Sequence, residues 1–133
     1  MRARNILYAE DNPDDVLIFK MACKRAGWAQ PLHAVEDGET AIAWLNGDAP
    51  YADREKYPLP DVLLLDLKMP RKTGFDVLEW ARKSANFAAL PVIILSSSDD
   101  PRDMKRSLEL GATGYVVKTA SCEEIIARLR ALP

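Results

Sequence analysis

The chain has 133 residues, a formal net charge of −2, 48% hydrophobic residues and 29% charged residues. That length suits one domain, and the composition excludes a disordered or fibrous chain. Basic and acidic residues are interspersed, so no basic footprint for nucleic acid is present, and no apolar stretch reaches the length of a membrane span.

Met1-Arg-Ala-Arg-Asn leads directly into an apolar run, so no signal peptide is expected. The first predicted strand, Ile6 to Ala9, ends in the acidic pair Glu10-Asp11. Asn12 caps a helix whose first position suits Pro13. Val16, Phe19, Cys23 and Ala26 share a face of that helix at helical spacing, and Gly27 stops it. A weaker strand over 32–35 precedes a helix over 38–46, with Ile42 and Leu45 inward and Gly47 as its stop. A loop over 47–60 carries Pro50, Pro58 and Pro60 with Tyr51 and Tyr57, an uncommon length in a compact α/β domain.

The run Val62 to Leu65 is apolar without a break and ends at Asp66, which reads as a strand buried on both faces in a parallel sheet. Met69-Pro-Arg-Lys-Thr-Gly74 turns into a helix carrying Val77, Leu78 and Ala81. The fourth strand, 92–95, ends in Ser96-Ser-Ser98, Asp100 and Pro101 open the next helix, and Gly111 closes it. The fifth strand, 114–117, ends at Lys118, and Ser121 with Glu124 forms a capping box for a last helix with Ile125, Ile126 and Leu129 inward. Five strands alternating with five helices predict a doubly wound, five-stranded parallel α/β sheet in three layers, which holds ligands beyond the strands' carboxyl ends.

The residues following the strong strands are Glu10 and Asp11, Asp66, Ser96 and Lys118, and a parallel sheet brings them to one edge. Taken singly, each has an ordinary explanation as a helix-opening acid, a turn residue or a solvated lysine. Together they form a charged site. Three carboxylates repel unless cations join them; Lys118 supplies one charge, and a hard divalent cation, Mg²⁺ foremost, supplies the rest through oxygen ligands. A lysine, a hydroxyl and a divalent cation around Asp66 make a cradle for a phosphoryl group on that carboxylate.

These residues resemble the receiver domain of bacterial two-component response regulators, over essentially the whole chain. Glu10-Asp11 is similar to the family's acidic pair, and Asp66 with Met69-Pro70 and Gly74 to its Asp-x-x-Met-Pro-x-x-x-Gly motif. Ser96 resembles the Thr/Ser switch residue, Lys118 the family lysine and Tyr115 the rotating aromatic. The resemblance implies a flavodoxin-like (βα)5 fold with strand order 2-1-3-4-5. It implies Asp66 as phosphoacceptor with Ser96 and Lys118 assisting, Ser96 and Tyr115 as the switch, and metal ligands Glu10, Asp11, Asp66 and the Lys68 backbone carbonyl. It further implies phosphotransfer from a sensor histidine kinase, with the receiver catalysing only its own phosphorylation and dephosphorylation. A single receiver over 1–133 with no output domain is expected, passing its signal through protein contacts in the cytoplasm.

Glu10-Asp-Asn-Pro-Asp-Asp15 and the long loop before the third strand narrow the resemblance to the stand-alone regulators of phytochrome-type kinases, a group whose members often form homodimers. The fifth strand and last helix, or the fourth helix, are the expected partner or dimer faces. Two departures stand out. Thr119 follows Lys118 where the family usually has a proline in a cis bond, and Lys68 places a cation at the rim, where it is expected to alter dephosphorylation.

Two competing readings stand beside this one. A degenerate receiver would act only as an interaction or dimerisation module. A small aspartate-nucleophile phosphatase of the haloacid-dehalogenase type would need a second aspartate where Lys68 stands. Elsewhere, His33 lies away from the acidic edge, Asp14 and Asp15 suit the first helix's dipole, and Trp28, Trp44 and Trp80 read as packing or surface residues. The 47–60 loop is either a passive insertion or a partner surface. Cys23 and Cys122, outside any metal-ligand spacing, are expected as reduced thiols packed on helices.

Overall fold

The computed structural model describes residues 5–28, 31–118 and 122–132. The elements alternate throughout: β1 (Ile6–Ala9), α1 (Pro13–Arg25), β2 (Leu32–Val35), α2 (Gly38–Asn46), β3 (Val62–Leu65), α3 (Gly74–Lys83), β4 (Val92–Ser96), α4 (Pro101–Glu109), β5 (Gly114–Val117) and α5 (Cys122–Arg130). All strand pairs are parallel, in the order β2-β1-β3-β4-β5. Chain order therefore reverses at the β1–β3 junction, which places the ends of those two strands over the crevice between the helical layers.

The strands' period of two divides their side chains between two cores. Leu7, Leu63, Leu65 and Ile94 pack with Trp44, Leu45, Val77, Leu78 and Ala81 of α2 and α3. Ile6, Tyr8, Leu64 and Leu95 pack with Phe19 and Cys23 of α1 and with Ile125, Ile126 and Leu129 of α5. β3 is wholly buried between them. Truncating Leu64 to alanine there would cost about 2–5 kcal/mol through lost transfer energy and a cavity.

The caps fall as expected. The Asn12 side chain accepts from the Asp14 and Asp15 N–H groups, Gly47 ends α2 in the left-handed region at φ 74°, and Asp100 caps α4 ahead of Pro101. The capping box of Ser121 and Glu124 rests on a residue outside those described.

Two details differ from expectation. β4 continues to Ser96, because Ser96 pairs with Val117 and its carbonyl accepts the Lys118 N–H at 2.8 Å. Ile42 is only half-buried, since the inward face of α2 is carried by Ala41, Trp44 and Leu45. His33 lies within β2 at the bounds expected for that strand, its ring 5.2 Å from that of Trp44.

The 47–60 loop folds back on α2. Tyr51 and Tyr57 pack on Trp44, whose indole donates to the Pro58 carbonyl at 2.9 Å. Arg54 donates to the Trp44 and Leu45 carbonyls at 2.8 and 2.9 Å, the second of them an acceptor that the end of a helix leaves open. The cysteines are free thiols, Cys23 buried and Cys122 half-buried. Among the described residues, no helix is long and apolar enough to cross a membrane.

Candidate functional site: an acidic pocket at the carboxyl edge

Ladder hydrogen bonds continue past the ends of β1 and β3 and fix the backbone there. The Glu10 N–H donates to Val35 at 3.0 Å, and the Asp66 N–H donates to Ala9 at 3.1 Å. Glu10 and Asp66 are buried, while Asp11 is exposed. One carboxylate oxygen from each of the three lies within 4.8 Å of the others. The convergence expected from strand order is thus present in space.

Lys118 at the tip of β5 reaches into this pocket. Its ammonium donates to Glu10 Oε1 and, at 2.8 Å, to Asp15 Oδ2; its distance to Asp66 Oδ2 is 3.6 Å. The lysine therefore pairs more closely with Glu10 and Asp15 than with the expected acceptor. Asp15, expected only to suit the helix dipole, is also an ion-pair partner at the site. No local signal sets it apart from Asp14, its neighbour in the same first turn of α1.

The electrostatics follow from this crowding. Burial and the adjacent Asp66 carboxyl push Glu10 up to about 8, against the lowering effect of Lys118. Burial alone would lower Lys118, but its bonds to Asp15 and Glu10 outweigh this and hold it above the ordinary lysine value. The bond from Lys118 holds Asp15 below the usual carboxylate range. Glu10, Asp15 and Asp66 flank one ammonium and Asp11 adds a fourth carboxylate to the cluster, a charge imbalance and an all-oxygen donor set that fit a hard divalent cation. Lys68, two residues past Asp66, is exposed.

Ser96 is fully buried at the tip of β4, and its Oγ accepts the Ser98 N–H at 3.2 Å. Ser98 in turn joins two further elements. Its carbonyl accepts the Tyr115 hydroxyl at 2.8 Å, and its own hydroxyl donates to Asp103 Oδ2 of α4 at 2.6 Å. A hydrogen-bonded path thus runs from Ser96 to β5 and α4, and Tyr115 is already half-buried along it. Burial raises the Tyr115 phenol above its ordinary value, so the hydroxyl stays protonated and donating. The Lys118–Thr119 bond, where a cis peptide was considered, lies outside the described residues.

Residues 6–130 match the family model of the response regulator receiver domain. The probable transcriptional regulatory protein TcrX of Mycobacterium tuberculosis is 36% identical over 127 residues, which are 96% of this chain and 48% of TcrX. The chain thus spans about half the length of that curated relative. Among solved structures, the phosphorylated cyanobacterial phytochrome response regulator RcpA superposes with a TM-score of 0.84 at 28% identity, covering 97% of this chain and 90% of RcpA. The Mn²⁺-bound form of response regulator Rcp1, a protein of Synechocystis, superposes with a TM-score of 0.81 at 28% identity, covering 96% of this chain and 89% of that one.

Proposed function

The chain belongs to the response regulator receiver domain family, whose general function is phosphoryl acceptance, and from that premise we propose that Asp66 is the acceptor here. The observation that carries this reading is the placement of Asp66. It is a buried carboxylate at the switch point, with two carboxylates within 4.8 Å and an ammonium 3.6 Å away.

In the transfer, an Asp66 oxygen forms the new P–O bond while the P–N bond of a phosphohistidine donor breaks, its electron pair leaving on the imidazole nitrogen. Receiver domains bind a divalent metal at such an acidic pocket; we take Mg²⁺ as the ion, which Glu10, Asp11, Asp66 and the Lys68 carbonyl would hold. When bound, it neutralises charge on the phosphoryl oxygens. Lys118 pairs with a phosphoryl oxygen as Asp15 and Glu10 share it, and the buried Ser96 hydroxyl donates to another. Any shift of Ser96 reaches Tyr115 and α4 through Ser98. The chemistry is confined to the chain's own phosphorylation and dephosphorylation.

Receiver domains pair with histidine kinases, and similarity to phytochrome response regulators supports a kinase of phytochrome type as donor in the cytoplasm. Its docking face is α1, which adjoins the pocket and leaves Leu17, Ile18 and Met21 more than half exposed. A second copy of the chain is the partner proposed for the face of α4, β5 and α5, where Leu108 is similarly exposed. The test is Mg²⁺-dependent labelling by acetyl phosphate or a phosphorylated kinase. The native chain should be labelled and Asp66→Asn should not; labelling of Asp66→Asn at full stoichiometry would overturn the assignment.

A further inference from the structure

Arg71 holds an unfavourable backbone conformation. Its φ is +66°, the left-handed region, which costs a non-glycine residue about 1–2 kcal/mol. Glycine would adopt that conformation without strain, so the arginine side chain must compensate. It reaches a buried carboxylate. Arg71 Nε and Nη2 lie 2.9 and 2.8 Å from Asp37 Oδ2, and the Asp37 side chain is only 3% exposed.

Asp37 is itself fixed, because it caps α2 through its other oxygen, which accepts the Thr40 N–H at 2.7 Å. Burial opposes its charge, but the bonds from Thr40 and Arg71 prevail and hold its carboxyl below the usual range. The pair thus ties the start of α2 to the loop over 67–73 that leaves Asp66.

Two glycines let that loop sit close. A β-carbon on Gly38 would collide with the Lys72 carbonyl, and one on Gly74 would collide with the Asp66 carbonyl. The Gly74 N–H donates to the Leu67 carbonyl at 3.0 Å, and Met69 is buried. The ends of the loop are held by β3 and by the Thr73–Asp76 capping box. Arg71 pins its middle, three residues from Lys68.

We propose that Asp37 and Arg71 are a positioning pair for phosphoryl acceptance, fixing the loop that leaves Asp66 and carries the Lys68 carbonyl. This rests on Asp66 being the acceptor. Neither residue touches the phosphoryl group; both act through the loop, as outer partners orient metal ligands elsewhere.

The test uses Arg71→Gly, which relieves the backbone strain while removing the tether, and Asp37→Asn, which keeps a good helix cap while removing the charge. Both are compared with the native chain for Mn²⁺ affinity without phosphodonor, for acetyl phosphate labelling rate and for thermal midpoint. Each variant should lose about tenfold in Mn²⁺ affinity and labelling rate, the double variant losing no more than either alone. The midpoint of Arg71→Gly should stay within a few degrees of native. Native Mn²⁺ affinity and labelling in both variants would overturn the inference, as would losses that merely track a fallen midpoint. Failure of the native chain itself to be labelled at Asp66 would instead sink the acceptor reading, and the positioning role with it.

Discussion

Lys118 lies 2.8 Å from Asp15 and 3.6 Å from Asp66, so the ammonium at the tip of β5 is shared with a carboxylate on the first turn of α1. Asp15 holds charge that the incoming phosphoryl group would otherwise attract, and it adds a negative charge that an anionic donor must approach. Asp15→Asn is therefore expected to speed acetyl phosphate labelling. A partly exposed pair contributes about 0.2–1 kcal/mol, so the gain should reach a factor of up to about five. Initial rates at fixed Mg²⁺ measure it. A slower Asp15→Asn would mean that Asp15 instead aims the lysine.

The raised Glu10 sets a pH dependence for the metal-free chain. From its ordinary 4.5 up to about 8, the folded form keeps a proton that the unfolded form has released. Folding stability should therefore fall as pH rises through that window. Thermal melts of the metal-free chain are expected to show this decline, and Glu10→Gln should flatten it. Adding Mg²⁺ should displace the proton and restore stability above neutrality, so the stabilisation by Mg²⁺ should grow with pH.

Tyr115→Phe removes the donor to the Ser98 carbonyl and breaks the path from Ser96 through Ser98 to the Tyr115 side chain. Loss of that one hydrogen bond should cost about 0.5–1.5 kcal/mol in denaturant unfolding. Labelling of Asp66 should persist, because the tyrosine lies beyond the acceptor. A phosphorylation-dependent change in partner binding or self-association, measured by sizing with and without acetyl phosphate, should weaken.

Most of the frame was legible from the chain. Unbroken apolar runs located β1, β3 and β4, and Asn12-Pro13, Gly47 and Asp100-Pro101 marked helix boundaries to within a residue, because these signals are local. Parallel order then placed Glu10, Asp11, Asp66 and Lys118 on one edge without knowledge of any contact. Contacts between distant elements were not legible. Asp15 reads as a first-turn helix acid, and nothing in its neighbours shows that the side chain turns toward β5. Arg71 reads as one basic loop residue beside Lys72, and its partner Asp37 lies 34 positions earlier. Arg54 likewise reads as loop charge, though it donates to carbonyls at the end of α2.

The exposed apolar residues of α1 predict how a kinase is recognised. Replacing Leu17, Ile18 and Met21 together by serine should leave acetyl phosphate labelling unchanged, because that small donor needs no docking face. Transfer from a cognate phosphorylated kinase should fall by about tenfold or more, since interface anchors commonly contribute above 1 kcal/mol each. Equal effects on both donors would place the defect in the pocket rather than the interface.

The central claim is the chemical identity of the acceptor, and reductive trapping tests it most directly. The chain is treated with acetyl phosphate and Mg²⁺, quenched with borohydride, which reduces an aspartyl phosphate to homoserine, and mapped by peptide mass spectrometry. Homoserine at position 66, dependent on both Mg²⁺ and phosphodonor, is the predicted result. Homoserine at another acidic position, or none at 66 in a folded and metal-loaded chain, would contradict the account.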